Sequence, residues 1–247
     1  MLSADQIQIF CRTGYLIVPD FLAADEIKQH QDEAELLTNH CCERGDLVAQ
    51  WGCVVEPLGC GYFDHSEIPA DARSSRAEYL RIRAQVSSSG LAARVLDRFG
   101  ACARQLLADA SQREVVLLNE QYIVKPPRST AEFAWHQDVL YFSQTQRQHI
   151  IVSVWTPLCD VSSKNGTVLI DPYPDPTRPG EYPAQPASSP IAAILAAGSA
   201  LFMDGRLRHC STENTTSTFR TVYMPQFSLG AVAAGSELAA LAVPVDQ

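Results

Sequence analysis

In Phe133-Ala134-Trp135-His136-Gln137-Asp138 a histidine and an aspartate stand two positions apart. On an extended strand both side chains leave the same face, so one imidazole and one carboxylate can grip one cation. A third ligand must come from elsewhere in the chain. His209 offers it in Leu207-Arg208-His209-Cys210-Ser211, just after the apolar run Ala200-Leu201-Phe202-Met203 that reads as a strand. Two neutral imidazoles with one carboxylate form the facial triad of non-heme Fe(II) oxygenases, which leaves positions open for a cosubstrate and dioxygen. The His-x-Asp pair by itself carries little weight, since six histidines and 28 acids among 247 residues give about 0.7 such His-x-acid pairs by chance. Its weight comes from the residues around it.

Arg220 is one of these. It follows the polar segment Thr212-Glu213-Asn214-Thr215-Thr216-Ser217-Thr218 and opens the apolar run Thr221-Val222-Tyr223-Met224. That spacing predicts a hairpin carrying His209 and Arg220 on one inner surface. There a guanidinium can clamp, in bidentate fashion, the free carboxylate of a metal-chelated 2-oxo acid, and the Ser211 hydroxyl can donate to the same group.

The motif Trp135-His136-Gln137-Asp138, the stretch Val154-Trp155-Thr156-Pro157-Leu158-Cys159-Asp160 leading to Asn165-Gly166-Thr167, and His209-Cys210-Ser211 through Asn214 to Arg220 resemble the phytanoyl-CoA dioxygenase family. The chain start is similar too, in Asp5-Gln6-Ile7, Phe10, Gly14-Tyr15 and Pro19-Asp20-Phe21-Leu22, so the resemblance runs from about Leu2 to Phe227. It implies iron ligation by His136, Asp138 and His209, and 2-oxoglutarate binding by Arg220 and Ser211. It also implies cosubstrate contacts from Gln121, within Gln121-Tyr122-Ile123-Val124-Lys125-Pro126-Pro127, and from Gln137 and Trp155; for Trp155 a place in a buried strand is the alternative. The chain departs from the family where Thr167-Val168-Leu169-Ile170 runs into Asp171-Pro172-Tyr173-Pro174 in place of a Pro-Gly-Ser-His type stretch. The substrate wall built there is individual to this chain, and a fatty acyl-CoA substrate is not carried over.

Composition sets the outer limits. A length of 247 residues suits one domain with a substantial core. With 46% hydrophobic and 19% charged residues the chain is not globally disordered. No run is long enough to span a bilayer, so no membrane partner is expected. A net charge of -9 argues against attraction to nucleic acid. The first residues lack the pattern of a secretory signal, which predicts a cytoplasmic protein. Eight cysteines show no Cys-x-x-Cys spacing, so neither a zinc site nor a disulfide framework is expected.

Ser3-Ala4-Asp5-Gln6 predicts a capping box and a short helix ending near Gly14, followed by a strand at Tyr15-Leu16-Ile17-Val18. Ala24 to about Cys42 predicts a longer helix, and Leu91, Val95, Phe99 and Leu106 predict another, broken or bent near Gly100. From Glu114 the pattern becomes short apolar runs at 115–124, 150–158, 167–170, 199–203 and 219–227. The predicted fold is mainly β with flanking helices, a double-stranded β-helix of the jelly-roll, cupin-like kind. It comprises one domain over 1–247, helical support over about 1–112 and a β-helix core over about 113–230. Trp51 to Ser75 and the proline-rich Asp171 to Pro190 predict loops beside the pocket, each either a lid or a passive surface segment.

The expected function is an Fe(II)- and 2-oxoglutarate-dependent oxygenase that uses dioxygen to oxidise a small molecule by hydroxylation, desaturation, epoxidation, cyclisation or epimerisation. Specialised, natural-product metabolism is the expected setting. Halogenation is disfavoured, because a halide needs the position that Asp138 fills. The competing classes are a non-catalytic small-molecule-binding protein on the same fold and a cupin-like enzyme that works without 2-oxoglutarate.

Overall fold

Ser3 begins the first helix through the expected capping box: its hydroxyl accepts from Gln6 N at 3.2 Å, and the Gln6 side chain accepts from Ser3 N at 2.8 Å. The helix stops at Gly14, whose φ of 82° suits a residue without a Cβ. These features come from a computed structural model that describes residues 1–64, 66–87, 90–107, 113–141, 150–187, 189–232 and 241–246. The expected boundary near residue 112 lies outside the described residues.

Among the described residues, six α-helices, α1 (Ala4–Thr13), α2 (Ala24–Glu43), α3 (Val48–Trp51), α4 (Arg76–Val86), α5 (Leu91–Arg94) and α6 (Gly100–Leu107), precede most of the strands. The strands are β1 (Tyr15–Val18), β2 (Cys53–Val55), β3 (Val115–Lys125), β4 (Phe133–His136), β5 (Ile151–Pro157), β6 (Val168–Asp171), β7 (Ile191–Ala192), β8 (Ala200–Asp204), β9 (Arg208–Ser211), β10 (Arg220–Leu229) and β11 (Val243–Pro244). They form two antiparallel sheets. The larger runs β1-β8-β5-β10-β3-β11 with β2 also on β3, and the smaller runs β4-β9-β6-β7. This is the jelly-roll arrangement that the strand spacing predicts.

The larger sheet is covered on both faces. Tyr122, Val154, Phe202, Tyr223 and Phe227 pack against the helices. Ile123, Trp155, Val222 and Met224 pack instead with Val168, Ile170 and Leu207 of the smaller sheet and its neighbours. Burial on two sides is why β3, β5 and β10 carry apolar residues on both faces rather than on alternate positions only.

Several expectations are corrected. His209 and Arg220 do not share a hairpin: β9 belongs to the smaller sheet and β10 to the larger, so the polar segment crosses between sheets. Asn214, fully buried, holds that crossing by donating to the carbonyls of Lys125, Pro126 and Thr218. Near Gly100 the chain neither breaks nor kinks at the glycine; the irregularity is a π-helical turn over Val95–Phe99 ahead of it. The segment from Trp51 to Ser75 is not loop throughout, since β2 pairs with β3 there. In the proline-rich segment after Asp171, several groups are held by Arg208. Arg208 donates to Asp171, to Pro183 O at 2.7 Å and to Gln185 O at 3.0 Å, and it stacks on the Tyr182 ring at 4.5 Å.

Candidate metal centre and cosubstrate pocket

β4 and β9 lie side by side with His136 opposite His209, which brings the two imidazole rings to 4.3 Å between centroids. The strand ends at His136. Asp138 is therefore not on the strand as the spacing predicts; it starts a 3-10 turn (Asp138–Tyr141) fixed by Val139 N donating to Gly205 O at 3.0 Å. The turn still delivers the carboxylate, with Asp138 Oδ1 3.5 Å from His136 Nε2 and 3.6 Å from His209 Nε2. The three ligand atoms lie within 4.8 Å of one another.

The hydrogen bonds behind these atoms set their chemistry. His136 Nδ1 meets Ala134 O at 2.7 Å, and His209 Nδ1 meets Leu207 O at 2.9 Å. A carbonyl only accepts, so each Nδ1 carries the proton and each Nε2 presents a lone pair towards Asp138. Asp138 Oδ2 is separately engaged: Ser153 Oγ donates to it at 2.6 Å and Gln226 Nε2 at 3.1 Å. Oδ1 alone is left facing the histidines. With both rings neutral, two Nε2 lone pairs and one carboxylate oxygen converge and fit a divalent cation, and the N₂O set with backbone-oriented imidazoles fits ferrous iron. With no cation bound, a protonated imidazole faces the carboxylate instead: burial opposes the charge on His136, but Asp138 raises its pKa. Burial opposes the Asp138 charge, but His209, His136 and Ser153 together hold its pKa down at about 2.

The triad opens into a cavity of about 710 Å³, lined by Gln121, Trp155, Ser211, Arg220 and Gln226 among others. Arg220 is 1% exposed. Among the described residues its guanidinium has two long hydrogen bonds, 3.4 Å each, to the carbonyls of Asn165 and Ile123, and its carbon lies 5.8 Å from the Trp155 ring centroid. No carboxylate pairs with it among the described residues. Burial lowers its pKa to about 10, which marks a cation short of a counter-ion. Next to it Lys125 donates to Ser211 Oγ at 2.9 Å and Ala131 O at 2.8 Å, and burial followed by repulsion from Arg220 lowers the Lys125 pKa to about 7. Since Ser211 accepts from Lys125, its own proton is free for an acceptor in the cavity.

Of the residues singled out from sequence, His136, Asp138, His209, Arg220, Ser211, Gln121 and Trp155 all line this cavity. Gln137 does not. Its carboxamide donates to Gly180 O at 3.1 Å and Arg206 O at 2.6 Å, pointing away to anchor the proline-rich segment. Sequence reasoning missed Ser153, Gln226 and Lys125. Lys125 carried one signal, as a lysine closing an apolar strand; the other two sit in runs where nothing marks them.

A profile of the phytanoyl-CoA dioxygenase family matches residues 10–222. Among curated proteins none gives a significant match. Similar solved structures include EvdO2 from Micromonospora carbonacea var. aurantiaca complexed with 2-oxoglutarate, 18% identical over 96% of this chain and 95% of that one, with a TM-score of 0.65. The epimerase SnoN in complex with Fe3+, alpha ketoglutarate and nogalamycin RO is 16% identical over 98% of each chain, with a TM-score of 0.62. EctD from S. alaskensis with 2-oxoglutarate and 5-hydroxyectoine is 20% identical over 92% of this chain and 76% of that one, also with a TM-score of 0.62. At these identities the likeness is one of fold. The family match covers most of the chain, which therefore belongs to the phytanoyl-CoA dioxygenase family of Fe(II)- and 2-oxoglutarate-dependent oxygenases.

Proposed function

We propose that His136, Asp138 and His209 hold ferrous iron, that Arg220 and Ser211 bind 2-oxoglutarate, and that the enzyme oxidises a small organic metabolite in natural-product metabolism. The observation that carries this reading is the pairing, in one cavity, of three convergent donors with a buried guanidinium that has no carboxylate partner among the described residues. When bound, iron and 2-oxoglutarate supply dioxygen activation coupled to oxidative decarboxylation.

The chain's own residues do the rest. The Leu207 and Ala134 carbonyls fix both imidazoles with Nε2 inward. Ser153 and Gln226 hold Oδ2 of Asp138 so that one oxygen serves the metal. Arg220 supplies a planar, bidentate donor for a carboxylate, with Ser211 and the Lys125 ammonium beside it. Trp155, 2% exposed, walls that end off from water. The cavity volume suits a compact molecule. The natural-product setting is supported by structural relatives that include an epimerase and a carbocyclase from nogalamycin biosynthesis.

Dioxygen-dependent conversion of 2-oxoglutarate to succinate by the Fe(II)-loaded protein tests the reading. Turnover is expected in the natural chain and is lost in Asp138→Ala. Unchanged succinate production by that variant would remove Asp138 from the ligand set, and no succinate from the natural chain would favour a binding protein on the same fold.

A further inference from the structure

Strand β2 forms the outer wall of the cavity. Its register places Val54 opposite Ile123 and Val55 opposite Tyr122. Alternation therefore sends Val54 to the cavity side and Val55, 1% exposed, to the core. One step further, Glu56 returns to the cavity side, and both Glu56 and Gln121 line the pocket. A tight turn follows, closed by Gly59 N and Cys60 N donating to Glu56 O at 2.9 Å each. Oε2 of Glu56 lies across Gly59 so closely that a Cβ there would approach it to 2.4 Å. Glycine is needed at that position for the carboxylate to occupy it.

Among the described residues, three ionisable groups other than histidine, cysteine and tyrosine line the cavity: Glu56, Asp138 and Arg220. Asp138 faces the metal centre and Arg220 the acidic cosubstrate. Glu56 remains. No hydrogen bond or ion pair reaches its carboxylate among the described residues; Arg73 acts on it through space, yet burial still raises its pKa above the usual carboxylate range. The same cavity wall carries the apolar side chains of Val54, Ile123, Phe133, Met203 and Met224. A half-buried carboxylate without a donor is a cost that a cationic ligand removes. An anionic ligand would increase that cost.

Building on the proposed oxygenase reading, we propose that Glu56 is the substrate-recognition charge of this pocket. The substrate is accordingly an apolar molecule bearing a cationic nitrogen, of the ammonium type, seated over the turn from Glu56 to Cys60. Carboxylates and phosphate-bearing thioesters are excluded by the same charge.

Calorimetric titration of the anaerobic Fe(II)- and 2-oxoglutarate-loaded protein with 2-phenylethylammonium, 2-phenylethanol and 3-phenylpropanoate tests this. The ammonium probe is expected to bind about tenfold more tightly than the alcohol, and the carboxylate most weakly. Glu56→Gln brings the ammonium and alcohol probes to within about twofold, and Glu56→Lys reverses the order of the charged probes. Equal binding of ammonium and alcohol by the natural chain, no measurable binding of the ammonium probe, or a preference that survives Glu56→Gln overturns the proposal. The visible band of iron-chelated 2-oxoglutarate, recorded before any probe is added, separates the two readings: its absence defeats the oxygenase reading, whereas its presence without charge preference defeats only the role of Glu56.

Discussion

The division of labour between the two oxygens of Asp138 is the most consequential detail at the scale of single residues. Ser153 and Gln226 occupy Oδ2, and Gln226 in turn accepts from Asn119 Nδ2 at 3.3 Å, so the carboxylate cannot rotate without breaking a buried chain of hydrogen bonds. Gln226→Leu and Ser153→Ala are each expected to weaken Fe(II) binding about 10- to 100-fold in anaerobic titration, with Ser153→Thr retaining affinity because it keeps the hydroxyl. Equal affinity in all these variants would mean that Asp138 needs no second support. Arg220→Ala leaves the metal set intact and is expected to raise the 2-oxoglutarate concentration needed for half-maximal turnover by about 100-fold, the loss of a buried charge-assisted bidentate contact. An unchanged requirement would move the anchor elsewhere. The candidate ligands and the candidate anchor were legible in sequence because histidine, aspartate and arginine are chemically conspicuous. Ser153 and Gln226 were not, since a serine or glutamine in an apolar run shows its role only when a carboxylate lies opposite.

Elements bring these residues together in ways that periodicity alone does not reveal. Phe227 pairs with Leu117 and Gln226 with Asn119, so Leu118 is an extra residue, a bulge in β3. It switches the alternation: Val115 and Leu117 face the helices, whereas Asn119 and Gln121, on the same odd count, face the cavity. The expected hairpin failed because eleven residues suffice either for a hairpin or for a crossing between sheets, and the crossing carries the buried Asn214 with its bonds to Lys125, Pro126 and Thr218. The irregularity expected near Gly100 in the third helical segment is the π-turn Val95–Phe99. Gly100 has another duty: a Cβ there would come within 2.5 Å of Val245 Cγ1. Alanine gains helix propensity of about 1 kcal/mol, but valine is stiff at χ1 and cannot yield, so Gly100→Ala is expected to destabilise by about 1–2 kcal/mol net. Chemical denaturation checks this, and Val245→Ala in the same chain is expected to restore most of the loss. A stabilising Gly100→Ala would show that β11 moves aside freely.

For the whole molecule, the helices and the larger sheet are joined by a buried ionic cluster on the face opposite the cavity. Arg83 donates to Glu33 at 2.7 Å and to both oxygens of Glu120 at 2.9 Å, and the hydroxyls of Tyr79, Tyr122 and Tyr223 donate to the same two carboxylates. Removing the cation strands two buried anions, so Arg83→Met is expected to cost about 3–5 kcal/mol in chemical denaturation, and a near-neutral outcome would show that the carboxylates find other donors. His30 packs against this cluster with Nδ1 3.1 Å from the Tyr122 hydroxyl, and burial lowers its pKa to about 3. The unfolded chain takes up a proton near the ordinary histidine value and the folded chain does not, so the stability due to neutral His30 is complete above about pH 6.5 and is lost as pH falls towards about 3. In His30→Gln the slope of stability against pH over that range should flatten by up to about 1.4 kcal/mol per pH unit, and an unaltered slope would exclude His30 as its source. The central claim concerns the other face of the sheet and is tested most directly by anaerobic addition of Fe(II) and then 2-oxoglutarate under a visible spectrometer. A charge-transfer band is expected in the natural chain, saturating at one iron and one 2-oxoglutarate per chain, and is lost in His136→Ala. A spectrum that stays blank at saturating iron and 2-oxoglutarate would contradict it.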